Sequence, residues 1–238
     1  SWNWKAGTSF TNDASATGIG TIDSTGSVNT DAGFSIVSYS GNSTAGATIA
    51  HGLGATPKMM IVRKRNSAEN WLVYHASTGN TGATLLNGTN AFFQDDMWNS
   101  TSPTSSVFTV HGGAGANASG GTYIAYCFTD VKGYSKFSSY IGNGNADGAF
   151  VYTGFKSAFV MIKKTSGTGN WCLFDNKRGV NGAMIQLNPD VNNADNTSNY
   201  IDFLSNGFKC RNTASDKNAS GGSYIYMAFA ENPFVTST

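Results

Sequence analysis

Reactive side chains are scarce in this chain, so those present can be weighed one by one. Three histidines, His51, His75 and His111, stand in no H-E-x-x-H frame, and no C-x-x-C pair accompanies them. A zinc site needs several such ligands converging, and this spacing gathers none. Asp95 and Asp96 are adjacent in "AFFQDDMW". A glycosidase needs two carboxylates facing one cleft, whereas neighbours on a strand point to opposite faces. In "GNGNADG", Asn143, Asn145 and Asp147 alternate as at the start of a calcium loop, but the closing Glu is missing. Asn-Gly steps are also ordinary turn chemistry. No catalytic residue, metal site or cofactor is therefore expected, with calcium at Asn143, Asn145 and Asp147 the one cofactor reading left open. Cys127, Cys172 and Cys210 are odd in number and read as buried thiols rather than a disulfide framework. The Asn-x-Ser/Thr triplets at Asn42, Asn87, Asn99, Asn117, Asn196 and Asn218 follow from an Asn- and Ser/Thr-rich composition and do not mark glycosylation.

Aromatic residues offer more. "NAFFQDDMWNSTSP" concentrates Phe92, Phe93, Met97 and Trp98 in one inter-strand segment. Exposed, Phe92, Phe93 and Trp98 would stack on sugar rings or bury against a partner; turned inward, they would cap a core. Trp2 and Trp4 stand at the tip of a segment that is otherwise small and polar up to Gly33. Residues 1–32 read either as an extended arm or connector anchored by those two rings, or as a packed N-terminal strand.

The elements that position these residues are strands. Apolar residues alternate or cluster in runs of four to eight between Gly, Asn and Ser, and almost nothing has helical period. The same strand scheme is written twice. "NASGGTYIAYCF" from Asn117 recurs as "NASGGSYIYMAF" from Asn218, with eight of twelve positions identical and an offset of 101. "NWLVYH" from Asn70 faces "NWCLFD" from Asn170, so Trp71 and Trp171 are expected at equivalent buried positions. Each cysteine faces a small or apolar residue in the other half: Ala228, Leu72 and Val110. A period this long is a small domain, not a solenoid repeat. The expected fold is all-β, with two tandem antiparallel β-sandwich, jelly-roll-like repeats over 33–132 and 133–238, preceded by the arm of 1–32.

Composition excludes some partners. Lys plus Arg number 15 against 14 Asp plus Glu, a net charge of +1, so no field draws nucleic acid or an anionic membrane. Charged residues make up 12%, about half the usual share. No apolar run approaches the roughly 20 residues of a membrane helix, and the start "SWNWKAGTSF" is not a signal peptide. The first residue is not Met, so the chain is expected to be processed or a piece of something longer.

Several long stretches in order carry a resemblance. "DAGFSIVSYSG", "IAHGLGATPKMMIV", "WNSTSPTSSVF", "GYSKFSSYIGNGNADGAFVYTGF" and "NASGGSYIYMAFAENPF", spanning Asp31 to Phe234, resemble a module of structural proteins of tailed phages. Members occur largely in marine phages and cyanophages, are labelled as tail fibres, and are often joined to laminin-G or concanavalin-like sandwiches. The short start is then expected of one domain of a longer fibre or of a compact virion protein. The resemblance implies a virion structural protein without catalytic residues, placed on the virion surface outside cells. It implies a fibre or spike that self-associates, a trimer first, and meets other virion proteins and a host-surface glycan. Alternatives are a capsid decoration protein, a cellular adhesin or extracellular filament protein, and, least favoured, a glycan depolymerase.

Overall fold

The computed structural model describes residues 3–179 and 184–233. It divides into two compact units. Unit 1 holds Ser1–Leu86 and Phe93–Asp130, and unit 2 holds Asn87–Phe92 and Val131–Thr238. Both are antiparallel and all-β, as the strand-period pattern predicts; the described helices, α1 (Ala14–Thr17) and α2 (Ser215–Asn218), are single turns.

Unit 1 begins with β1 (Thr8–Asn12), β2 (Ser24–Asn29), β3 (Phe34–Ser40), β4 (Ala47–Ala50) and β5 (Met59–Lys64). It continues with β6 (Leu72–His75), β7 (Gly79–Leu85), β8 (Phe93–Gln94), β9 (Val107–Val110) and β10 (Thr122–Phe128). The large sheet runs β1-β2-β3-β10-β5-β6-β7-β8, and β4 pairs with β9 in a small second sheet. Alternation puts Val37, Tyr39, Met60, Val62, Tyr123 and Ala125 on one face of the large sheet. There they share a core with Ile49, Phe108 and Val110 of the small sheet.

Unit 2 contains β11 (Ser135–Ile141), β12 (Phe150–Tyr152), β13 (Ser157–Lys164), β14 (Trp171–Asp175) and β15 (Gln186–Leu187). It ends with β16 (Ile201–Leu204), β17 (Gly207–Cys210) and β18 (Ser223–Ala230). Its sheets run β11-β18-β13-β14-β15 and β12-β17-β16. Val160, Ile162, Phe174 and Tyr226 of the first meet Val151, Ile201 and Phe208 of the second. The pairings of the two units correspond in register. Thr122 faces Ser40 as Ser223 faces Ile141, and Met59 faces His75 as Phe159 faces Asp175.

The doubled "NASGG" stretch has a physical reading. Asn117 is fully buried, its Oδ1 accepting from Asn42 N at 2.9 Å and its Nδ2 donating to Thr44 O at 2.9 Å. Asn218 binds Asn143 N at 3.0 Å and Asn145 O at 2.8 Å in the same way. Gly120 and Gly221 take φ of 70° and 69°, where a side chain would be strained. The following tyrosine turns back: Tyr123 Oη accepts from Ala118 N and donates to Ala114 O, as Tyr224 does with Ala219 and Ser215. Tyr123 stacks on Tyr39 at 5.1 Å and Tyr224 on Tyr140 at 5.0 Å, so one motif closes the core of each unit.

Two expectations are corrected here. Of the two readings of residues 1–32, the packed strand replaces the arm over the described part: β1 pairs with β2 and β2 with β3, extending the unit 1 sheet. Backbone bonding holds this segment, which is why its polar composition does not betray it. Trp71 and Trp171 are not equivalent in burial. Trp171 is 1% exposed, whereas Trp71 is half-buried, stacked on Tyr126 at 6.4 Å beneath the Arg63 guanidinium.

Candidate functional site

The inter-strand aromatics do not make an exposed patch. Trp98 is fully buried in the unit 1 core, its indole N–H donating to Gly82 O at 2.9 Å and its ring edge-on to Tyr74 at 5.8 Å. The contact reading of Trp98 is therefore replaced by a core role, as expected for a large ring whose one polar atom finds a partner. Phe93 packs against the same core from β8, and Phe92 is half-buried in unit 2 with its N–H on Thr165 O at 3.0 Å. Trp4 is half-buried against the stacked pair Phe34–Phe128, at 6.4 and 6.1 Å from the two rings. Trp2 lies outside the described residues.

The oxygens of the calcium-like loop already have partners. Asn143 Oδ1 accepts from Asn145 N and Asn218 Nδ2, and Asn145 Oδ1 accepts from Asp147 N at 2.9 Å. Asp147 pairs with Lys209 at 2.5 Å, and that ammonium holds its carboxyl below the usual range. These are successive Asx turns. Among the described residues no three His, Cys, Asp or Glu side chains gather as metal ligands, and no helix is long and apolar enough to cross a membrane. His51 and His75 are buried, and each ring accepts a backbone N–H at Nδ1, from Leu53 and Ser77 respectively, at 3.2 Å.

Three features were not legible in the sequence. The first is the outer face of β12-β17-β16. Tyr152 is 65% exposed, Phe150 48% and Leu204 36%. Tyr152 and Leu204 flank Gly207, and Phe150 lies in one row with Lys209 and Asp202. Gly207 is buried: a Cβ there would meet Val151 O and the Phe150 ring edge, the latter at 3.1 Å, so the missing side chain leaves room for that ring to lie across the strip between Tyr152 and Leu204. Ion pairs Lys209–Asp147 and Arg211–Asp202 (2.7 Å) border the rings. Aromatic faces beside fixed charged hydrogen-bonding groups suit a ligand with both apolar and hydroxyl-bearing sides. Only the strand pairing shows that Phe150 and Tyr152 point outward.

The second is an open groove of about 760 Å3 in unit 1, lined among others by Thr11, Asp13, Asp23, Ser40, Arg65 and Thr122. Hydroxyl-bearing residues, two carboxylates and one guanidinium stand in its lining, and its two tyrosines, Tyr39 and Tyr123, are core residues. Asp13 caps α1 through Ser15 and Ala16, and those hydrogen bonds lower its pKa.

The third is a buried polar cluster in unit 2. Lys217 is 1% exposed, and its Nζ donates to Asp216 Oδ1 at 2.6 Å and Gln186 Oε1 at 2.7 Å, lying 3.8 Å from the Tyr200 ring centre. The Cys172 thiol, pushed well up by burial, donates to Asp216 Oδ2 at 3.3 Å. Lys163, fully buried, donates to Thr89 O at 3.1 Å and to Gly169 O. Burial pushes its ammonium down to about 8, with Asp190 opposing. The corresponding unit 1 positions are Leu72, Gly115 and Ala116, where Leu72 and Ala116 belong to the hydrocarbon core. Nothing in the polar run "SDKN" marks Lys217 as buried.

Neither the curated proteins nor the solved structures contain a match to this chain. A family model described as "Domain of unknown function (DUF7483)" matches residues 1–233. That span covers both units and each feature described above, and the chain belongs to the DUF7483 family.

Proposed function

We propose that this chain is a virion structural protein, a fibre or spike module that meets the host surface. The observation that carries the reading is the exposed Phe150–Tyr152–Leu204 face with its bordering ion pairs. Single exposed apolar residues are ordinary, but two rings and a leucine on one strand face form a platform. Sugar rings stack on such a platform while their hydroxyls reach Asp202, Arg211, Lys209 and Asp147, so a host-surface glycan is the proposed ligand. The likeness of the sequence to phage fibre modules supports the same setting. Weak single contacts become strong through oligomeric display, and a closed three-fold assembly on the virion surface, joined to other virion proteins, is the proposed form.

The experiment has two arms. Gold-labelled antibody against the full chain locates it on intact particles, and a label on a fibre or spike is expected. A label on the capsid shell would replace the reading with a decoration role. Labelled protein is then titrated onto host cells and their extracted surface polysaccharide. Tyr152→Ala is expected to weaken binding about ten-fold, the effect of losing one ring stack, with little change in stability. Unchanged binding by Phe150→Ala/Tyr152→Ala would overturn the assignment of this face.

A further inference from the structure

From the Lys217–Asp216–Gln186 cluster we infer that unit 2 forms an intramolecular amide cross-link between the Lys217 side-chain nitrogen and the Gln186 side-chain carbonyl carbon. The observation is geometric. A lysine, a carboxamide and a carboxylate are held together in one dry site: Lys217 is 1% exposed, Gln186 4% and the Asp216 side chain 20%. Lys217 Nζ contacts Gln186 Oε1 at 2.7 Å, one bond from the carbon it would attack, and Asp216 Oδ1 at 2.6 Å. Two elements distant in sequence supply the partners: Gln186 on β15 and Lys217 on α2.

The site is not demanded by the fold. Unit 1 fills the corresponding positions with Leu72, Gly115 and Ala116, and a buried ion pair commonly stabilises less than the hydrocarbon it displaces. Each member has a chemical part. Asp216 takes a proton from the ammonium, leaving a neutral amine, which is the nucleophilic form. The Cys172 S–H on Asp216 Oδ2 holds that carboxylate facing the amine. The Tyr200 ring covers Nζ at 3.8 Å and excludes water that would compete for the carbonyl. Gln186 is itself fixed, its backbone bonded both ways to Asn196 and its Nε2 donating to Asn188 Oδ1 at 3.2 Å.

The reaction balances without an oxidant or a cofactor. The Nζ lone pair attacks Cδ, the C–N bond forms, and the carbonyl electrons move onto oxygen. Asp216 gives the proton it took from the ammonium to Nε2 and, a carboxylate again, takes the second Nζ proton. The tetrahedral centre then collapses, the Cδ–Nε2 bond breaks, and ammonia leaves, carrying the proton held by Asp216 away as ammonium. Ammonium plus primary carboxamide becomes secondary amide plus ammonium, and Asp216 returns to its starting state. Holding the reactants in contact replaces a bimolecular encounter with a single-site step.

The test uses the full chain, purified and then denatured. Its intact mass is expected to fall short of the sequence mass by one ammonia. A tryptic digest is expected to contain a branched peptide joining the segment after Arg178 to the segment after Arg211, with no cleavage at Lys217. Asp216→Asn and Lys217→Arg are expected to restore the full mass. A full wild-type mass with cleavage at Lys217 would overturn the inference. So would a missing ammonia mapped to a succinimide at an Asn-Gly step (Asn87–Gly88, Asn143–Gly144, Asn181–Gly182 or Asn206–Gly207) with only linear peptides. Because the readout is covalent and made on the wild type, it holds whether or not a variant folds.

Discussion

His51 shows how burial turns an ordinary side chain into a pH-sensitive one. Leu53 N–H donates to its Nδ1 at 3.2 Å, so the proton of the neutral ring sits on Nε2, which donates to Thr104 O at 3.2 Å. Both ring nitrogens are used and the ring is fully buried, so a second proton would break the Leu53 contact and add a charge. Burial lowers its pKa from 6.5 to about 4. Between those values the unfolded chain binds more protons than the folded one, so stability is complete above pH 6.5 and declines as pH falls toward 4. The contribution lost is about 3 kcal/mol. Urea titrations across this range are expected to show that decline in the wild type and a flatter profile in His51→Thr, the residue unit 2 carries as Thr153. Equal slopes in the two proteins would remove His51 as the cause.

At the scale of elements, the N-terminal strands are integral to unit 1. β2 pairs with β3 along six positions, and Thr21 and Ile22 donate to Thr48 O at 2.8 and 3.1 Å, covering the free edge of β4. Phe10 lies against Gly26 and Gly52, where a Cβ would meet its ring at 2.7 and 3.1 Å, and Ile22 is 6% exposed. Removing residues 1–29 uncovers two strand edges and the core beneath Ile22 and Phe10. The expected loss is about 3 kcal/mol or more, from two apolar side chains alone. Differential scanning calorimetry of the truncated chain is expected to show a lowered transition; an unaltered one would restore the connector reading. The sequence hides this because β1 and β2 bury little and are held by ladder bonds.

At the scale of the whole molecule, the two units are not two consecutive lengths of chain. Asn87–Phe92 leaves unit 1 to join unit 2 before Phe93 resumes unit 1. There Thr89 O accepts from Gly169 N at 2.9 Å and from the buried Lys163 ammonium, and Phe92 N bonds Thr165 O. A fragment of residues 131–238 lacks that acceptor, leaving Lys163 with fewer partners in a buried site. Such a loss costs about 1–3 kcal/mol per unsatisfied group. The fragment is expected to unfold at lower denaturant than unit 2 does in the full chain, and Lys163→Met is expected to recover part of the difference. A fragment as stable as unit 2 in the full chain would show that the segment contributes nothing.

Sequence alone determined the fold class, because alternation and Gly/Asn punctuation are local and repeat at matched offsets. It also placed Asn117 and Asn218 at equivalent points, since both stand in one motif. Tertiary structure alone decided which way the aromatics point. Trp98 and Tyr152 each sit in a run of mixed polarity, yet one is fully buried and the other 65% exposed. That difference arises from which sheet covers each strand, a property of pairing between distant segments. The Lys217 site has the same origin. Its partners come from Cys172, Gln186 and Tyr200, brought together only when β14, β15 and α2 pack around one core. No local pattern distinguishes a lysine that will meet solvent from one that will meet a carboxamide, because the groups that bury it are supplied by residues far along the chain.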